Sequence, residues 1–219
     1  CKPKFMKAMS TLINILLVIT IITSCQNDID IDTSNNDTNN SDSVFTSKVR
    51  RTSMFNGAFD DILDGSPCFA IQYPINILLN TIPTTLNSQT DLGIIAATDI
   101  IQISYPIVLT NYDYTETNIT NQQEFNTAIS SCQSLVASGN GPIDCIDFIY
   151  PLSIFTATKN QTQDIFEITS NQELYTFITN LDSNTLYSFQ FPLQILEPNL
   201  GNITIENNIA LDTYLGICL

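Results

Sequence analysis

A chain of 219 residues, 43% of them hydrophobic, is long enough for one or two packed domains, yet its charge is lopsided: 22 acidic residues, 7 basic ones and no histidine. From Thr52 onward Lys159 is the only cation among seventeen carboxylates, so no basic patch exists to meet a phosphate backbone, and nucleic acid is excluded as a partner. The carboxylates are scattered, a pattern that reads as solubility and self-repulsion rather than as a cation site.

In chain order, Lys2, Lys4 and Lys7 precede an apolar run at 12–22, LINILLVITII. That run has signal-peptide length and falls short of the roughly 20 residues of a membrane-spanning helix. The chain opens on Cys1, so Met6 or Met9 is the expected start of translation. The run ends in Ile22-Thr23-Ser24-Cys25, which resembles the bacterial lipobox. The resemblance makes residues 1–24 a lipoprotein signal peptide and Cys25 the lipid-bearing N-terminus, a membrane anchor. Acyl chains contribute about 0.8 kcal/mol of membrane affinity per buried CH₂. The alternative is an ordinary secretory signal with an incidental cysteine. Gln26 follows, and then Asp28, Asp30 and Asp32 resemble the export signal of Bacteroidetes surface lipoproteins. That likeness implies an outer-membrane, surface-exposed location and, at minimum, export from the cytoplasm.

Residues 26–51 are rich in Asn, Asp, Ser and Thr, so 25–51 read as the anchor and a flexible polar tether. Within it Asp42-Ser43-Val44 resembles a Bacteroidetes O-glycosylation acceptor, a match of three residues set against an unmodified linker. Residues 52–67 form an entry segment.

Four copies of one unit follow, marked by an aromatic–proline pair inside an alternating apolar stretch: CFAIQYPINI from Cys68, DIIQISYPIV from Asp99, CIDFIYPLSI from Cys145 and LYSFQFPLQI from Leu186. Prolines 74, 106, 151 and 192 are spaced by 32, 45 and 41 residues. Pro106 to Cys132 and Pro192 to Cys218 are both 26 residues, and Ile119, Asn121 and Thr127 align with Ile205, Asn207 and Thr213. The third copy's Ile168–Ile178 matches Ile119–Ile129 at six of eleven positions.

Each copy predicts a strand, a loop, a short second strand and a helix. Ile101, Ile103, Tyr105, Ile107 and Leu109 take one face of the opening strand, as do Ile146, Phe148, Tyr150, Leu152 and Ile154. A mid-strand proline cannot donate to the ladder and predicts an edge or a bulge. Ser170 with Glu173 predicts a capping box, with Asn121/Glu124 and Ser88/Asp91 as variants. Phe125/Ile129, Leu174/Ile178 and Leu211/Leu215 predict the buried helix faces. The expected fold class is α+β: four tandem strand-strand-helix (ββα) units paired into two modules, mostly antiparallel, with helices on one face.

Cys68 and Cys145 open odd copies, while Cys132 and Cys218 close even ones. An even number in an exported chain implies disulfides. The placement favours Cys68–Cys132 and Cys145–Cys218, with Cys132–Cys145 as the competing pairing. The modules are then 68–132 and 145–219, joined by a linker at 133–144. The chain ends one residue beyond Cys218, which leads us to expect further units downstream in the parent gene.

Chemistry is sparse. With no histidine and no CxxC, the residues suggest neither a metal site, a cofactor nor an activated thiol. Asp113 and Glu116 are the nearest thing to a catalytic carboxylate pair, on a predicted loop. Tyr112 and Tyr114 on the same loop are candidates to stack on a sugar.

Signal, tether and repeats together resemble an uncharacterised flavobacterial-type surface lipoprotein with tandem Cys-bounded Tyr-Pro repeats. The resemblance implies no assigned activity. The expected function is a non-catalytic binding or structural module for an unknown protein or glycan partner. Glycan capture or adhesion is the first alternative and a carboxylate-based hydrolase the second.

Overall fold

The computed structural model describes residues 38–158 and 161–218, which fall within one compact unit. Residues 1–37, and with them the expected signal peptide, Cys25, Asp28, Asp30 and Asp32, lie outside the described residues.

Every repeat contains three strands rather than two, because the opening strand stops at its aromatic–proline pair. The first unit has β1 (Phe69–Ile71), β2 (Ile75–Leu79) and β3 (Ile82–Leu86). The second has β4 (Ile101–Ile103), β5 (Ile107–Asn111) and β6 (Glu116–Ile119); the third has β7 (Asp147–Ile149), β8 (Leu152–Thr158) and β9 (Gln161–Ile168). The fourth has β10 (Thr185–Phe189), β11 (Leu193–Glu197) and β12 (Gly201–Ile205). All four aromatic–proline bonds, at Pro74, Pro106, Pro151 and Pro192, are cis. The inward parity runs through each break: Ile103, Ile107 and Leu109 are buried, and Tyr105 between them is half-buried. The alternation therefore reports the core face correctly, while the single nine-residue strand it suggests is two strands.

The two halves join different sheets. In the first module β1 pairs with β5, which pairs with β6, while β4 pairs with β2, which pairs with β3. The second module repeats the exchange: β10 joins the β8–β9 hairpin, and β7 joins the β11–β12 hairpin. Each unit thus lends its first strand to its neighbour's hairpin, giving four antiparallel three-stranded sheets among the described residues. Proline has no N–H to continue a ladder, so the break falls where the backbone cannot pair. The exchange is why the module, not the unit, is the smallest closed piece.

A helix follows each hairpin. The first unit has only a short 3₁₀ helix, Gln89–Ile94; the others have α3 (Gln122–Ala137), α4 (Asn171–Thr179) and α5 (Asn208–Ile217). The Asn121, Ser170 and Asn207 side chains each accept from the backbone N–H three residues on. Glu124 reaches back to the Thr120 N–H and Glu173 to the Thr169 N–H, one residue before the cap, both at 2.7 Å. Those hydrogen bonds hold both carboxyls below the ordinary range.

Two cores coincide with the two modules. One gathers Ile71, Ile77, Leu86, Leu109, Phe125 and Cys132; the other gathers Ile154, Leu174, Tyr187, Ile195, Leu211 and Leu215. Disulfides close both modules end to end: Cys68–Cys132 and Cys145–Cys218, with Cα atoms 5.6 and 5.7 Å apart.

The tether expected at 25–51 needs correction over residues 44–51; residues 25–37 lie outside the described residues. Val44–Thr52 is a nine-residue helix, α1, capped by Ser43, which accepts from the Thr46 N–H. Phe45 and Val49 are buried in the core of the second module, where α1 packs against α4 and α5. Each such burial is worth roughly 1.5–3 kcal/mol. Composition favours a linker at 26–51, but a polar helix needs only one apolar stripe to dock. Lys48 pairs with Asp212 on α5 at 2.7 Å.

Candidate functional site

Beyond α1 the chain crosses to the first module. The Phe55 N–H donates to the Tyr112 carbonyl and the Gly57 N–H to the Pro67 carbonyl, both at 2.9 Å. A Cβ at Gly57 would overlap the Phe69 carbonyl, so only glycine lets the segment lie this close to β1. Arg51 ties the intermodule linker to the same segment: its Nε donates to the Gly141 carbonyl at 2.7 Å, and its carbonyl accepts from Ile143 at 3.1 Å. Residues 44–67 thus form a strap spanning both modules.

Tyr114 sits at the crossing. Its hydroxyl donates to the Ser53 carbonyl at 2.8 Å, and its ring lies 5.9 Å from both Phe55 and Tyr175 on α4. Burial, together with the neighbouring Tyr175, pushes its phenol up to about 12. Tyr112 instead packs against the first core beside the Cys68–Cys132 bridge, lining a cleft of about 210 Å³ with Phe69, Ala128 and Leu135. That volume is below the roughly 300–1,000 Å³ of typical ligand pockets. The two loop tyrosines thus serve different contacts: Tyr114 joins the strap to both modules, and Tyr112 edges the first core.

The carboxylate pair is likewise used locally. Asp113 accepts from the Thr115 N–H at 3.1 Å and from its hydroxyl at 2.5 Å, closing the β5–β6 turn. Glu116 accepts from the Gln72 amide at 2.8 Å.

Two acidic residues that sequence leaves unremarked, Asp60 and Asp64, carry buried carboxylate oxygens. After the 3₁₀ turn Ala58–Asp60, a one-turn helix, α2 (Asp61–Asp64), ends on Gly65 in the left-handed conformation at φ 64°. Asp60 is 0% exposed; its Oδ2 accepts from the Ile71 N–H on β1 at 2.8 Å, while its Oδ1 has no partner. Asp64 Oδ1 accepts from the Ser66 N–H at 2.9 Å, and its Oδ2 is buried without a partner. The Ser66 hydroxyl, on a residue 2% exposed, and the Tyr73 hydroxyl also lack partners. Burial pushes Asp60 up to about 7 and, with the Asp60 charge added, Asp64 up to about 8.

Tyr73 is the exception among its repeats. Tyr105 donates to Gln122 Oε1 at 3.2 Å and Tyr150 to Asn171 Oδ1 at 2.5 Å, each the first residue of the following helix. In the first unit the strap lies beside this tyrosine, and burial, then the Asp60 and Asp91 charges, raise its phenol. An unpaired buried polar atom costs about 1–3 kcal/mol, so four in one patch call for an explanation. The sequence signal, DDILDGS at 60–66, is three acids within five residues before Gly-Ser; nothing in it announces burial.

No family model, no curated protein and no solved structure matches this chain.

Proposed function

We propose that the protein is a non-catalytic binding or structural module, anchored to the outer membrane through lipidated Cys25 and displayed at the cell surface. The observation that supports this reading is the strap: residues 44–67, downstream of the proposed anchor, are built into both modules and hold them as one body. Two disulfides fit an oxidising, extracytoplasmic compartment. Among the described residues no helix is long and apolar enough to cross a membrane. Lipid at Cys25 would supply the membrane attachment.

The anchor is tested by palmitate labelling: label on the wild type and none on Cys25→Ala supports lipidation there, and equal label on both refutes it. The binding role is tested with soluble chain 26–219 on a glycan array and in pull-downs from surface extracts. A saturable glycan hit moves the reading to glycan capture, the alternative role. A saturable protein partner supports the binding module, and hydrolysis of a glycan hit would remove the non-catalytic reading.

A further inference from the structure

The buried oxygens at 60–73 share one neighbourhood. The Asp60 charge acts on Asp64 and on Tyr73, and the Ser66 N–H is bonded to Asp64. Asp60 and Asp64 belong to the strap and Tyr73 to the module beneath it, so the unpaired atoms Asp60 Oδ1, Asp64 Oδ2, Ser66 Oγ and Tyr73 Oη come from both sides of a docking contact. Among the described residues the one ion pair, Lys48 with Asp212, lies elsewhere, and no lysine or arginine neutralises these carboxylates. The Ser66 hydroxyl is the independent sign of a ligand: it is 2% exposed, unpartnered, and carried by the residue whose N–H holds Asp64.

We propose that this patch is a binding site for one hard divalent cation of the calcium class, held by Asp60 and Asp64 with the Ser66 and Tyr73 hydroxyls beside it, and that the bound ion locks the strap onto the first module. The donor set is all oxygen, which suits calcium or magnesium; the chain has no histidine, and its described cysteines are in disulfides, which disfavours softer metals. No three or more acidic, His or Cys side chains among the described residues are arranged to hold a metal. Two carboxylates therefore carry the charge, and backbone or water oxygens complete the six to eight ligands that calcium takes. So few charges set the affinity near the ~10⁻⁴–10⁻³ M of extracellular calcium modules. Calcium's tolerance of irregular geometry favours it over magnesium, which demands a near-ideal octahedron.

The test uses chelator-treated 26–219 with calcium, magnesium and terbium(III), the last a luminescent calcium substitute. The chain has no tryptophan, so tyrosine sensitises the terbium. Expected are one calcium per chain by calorimetry, a rise in Tm in calcium, and terbium emission that calcium displaces. Tyr73→Phe should lose most of that emission while still binding calcium. Asp60→Asn with Asp64→Asn should abolish the calorimetric signal, and the exposed Glu167→Gln should leave it intact. If the double variant does not fold, Ser66→Ala takes its place, with calcium affinity expected to fall several-fold. The proposal is overturned if the wild type shows no heat and no shift in Tm up to about ten times that dissociation constant. It is equally overturned if the folded double variant binds as wild type does.

Discussion

The hydroxyl of Tyr114, on the β5–β6 turn of the first module, donates to the carbonyl of Ser53 at the end of α1, 2.8 Å away and 61 residues distant in sequence. Because α1 is part of the second module's core, this bond joins the strap to both modules at once. Ser53 is fully buried, so its carbonyl has no water to fall back on. Tyr114→Phe is expected to cost about 1–3 kcal/mol, the range for stranding a buried polar group. Urea unfolding of 26–219 measures it; no change would mean the bond is replaced by solvent.

Tyrosine titration reports the same burial. Desolvation raises Tyr114 to about 12 and holds Tyr150 and Tyr187 higher still. An unfolded phenol titrates near about 10, so the stability linked to these phenols is fully present below that value and is lost as pH rises through the folded ones. Phenolate absorbance should show Tyr114, Tyr150 and Tyr187 ionising only as the protein unfolds. A single transition near 10 in folded protein would contradict the packing.

The strap should be needed for the second module although it precedes the first. Phe45→Ala is expected to cost about 3–5 kcal/mol, as large-to-small core changes do. A fragment starting at residue 52 loses both Phe45 and Val49 and should melt well below 26–219. Equal melting temperatures would show that α1 is dispensable.

Gly57→Ala tests the other end. Its methyl would meet the Phe69 carbonyl, so the strap must lift from β1. Amide exchange is expected to rise at Gly57, Ile71 and neighbouring residues while the second module stays protected. Unchanged protection at Ile71 would mean that the strap adapts in place.

The two disulfides close stretches of similar size, 64 and 73 residues. On a chain-entropy estimate each contributes about 4 kcal/mol. Cys68→Ala with Cys132→Ala, and Cys145→Ala with Cys218→Ala, should therefore destabilise their modules by comparable amounts in non-reducing denaturation. A variant left at wild-type stability would show that its module does not depend on the bridge.

Much of the local structure is legible in the chain. Ile103, Ile107 and Leu109 alternate inward as their spacing predicts, Asn121 and Ser170 cap helices, and the cysteines bracket the modules. The candidate site is another matter. Tyr112 and Tyr114 look like free loop aromatics because a loop's sequence does not say what packs over it. Asp60 and Asp64 look like two of many surface acids because burial of a charge is a property of what docks on it.

What the sequence by itself determines is the unit: which face of each strand is apolar, where each helix begins and which cysteines mark a module's ends. These follow from periodicity and short-range hydrogen bonding, which need only neighbours along the chain. Only the tertiary structure decides that the half-strands trade partners, that residues 44–52 belong to the second core, and that Asp60 ends up sealed against β1. Those outcomes depend on which distant surfaces meet, and a backbone ladder or a buried carboxylate takes its character from its partner rather than from its own residues.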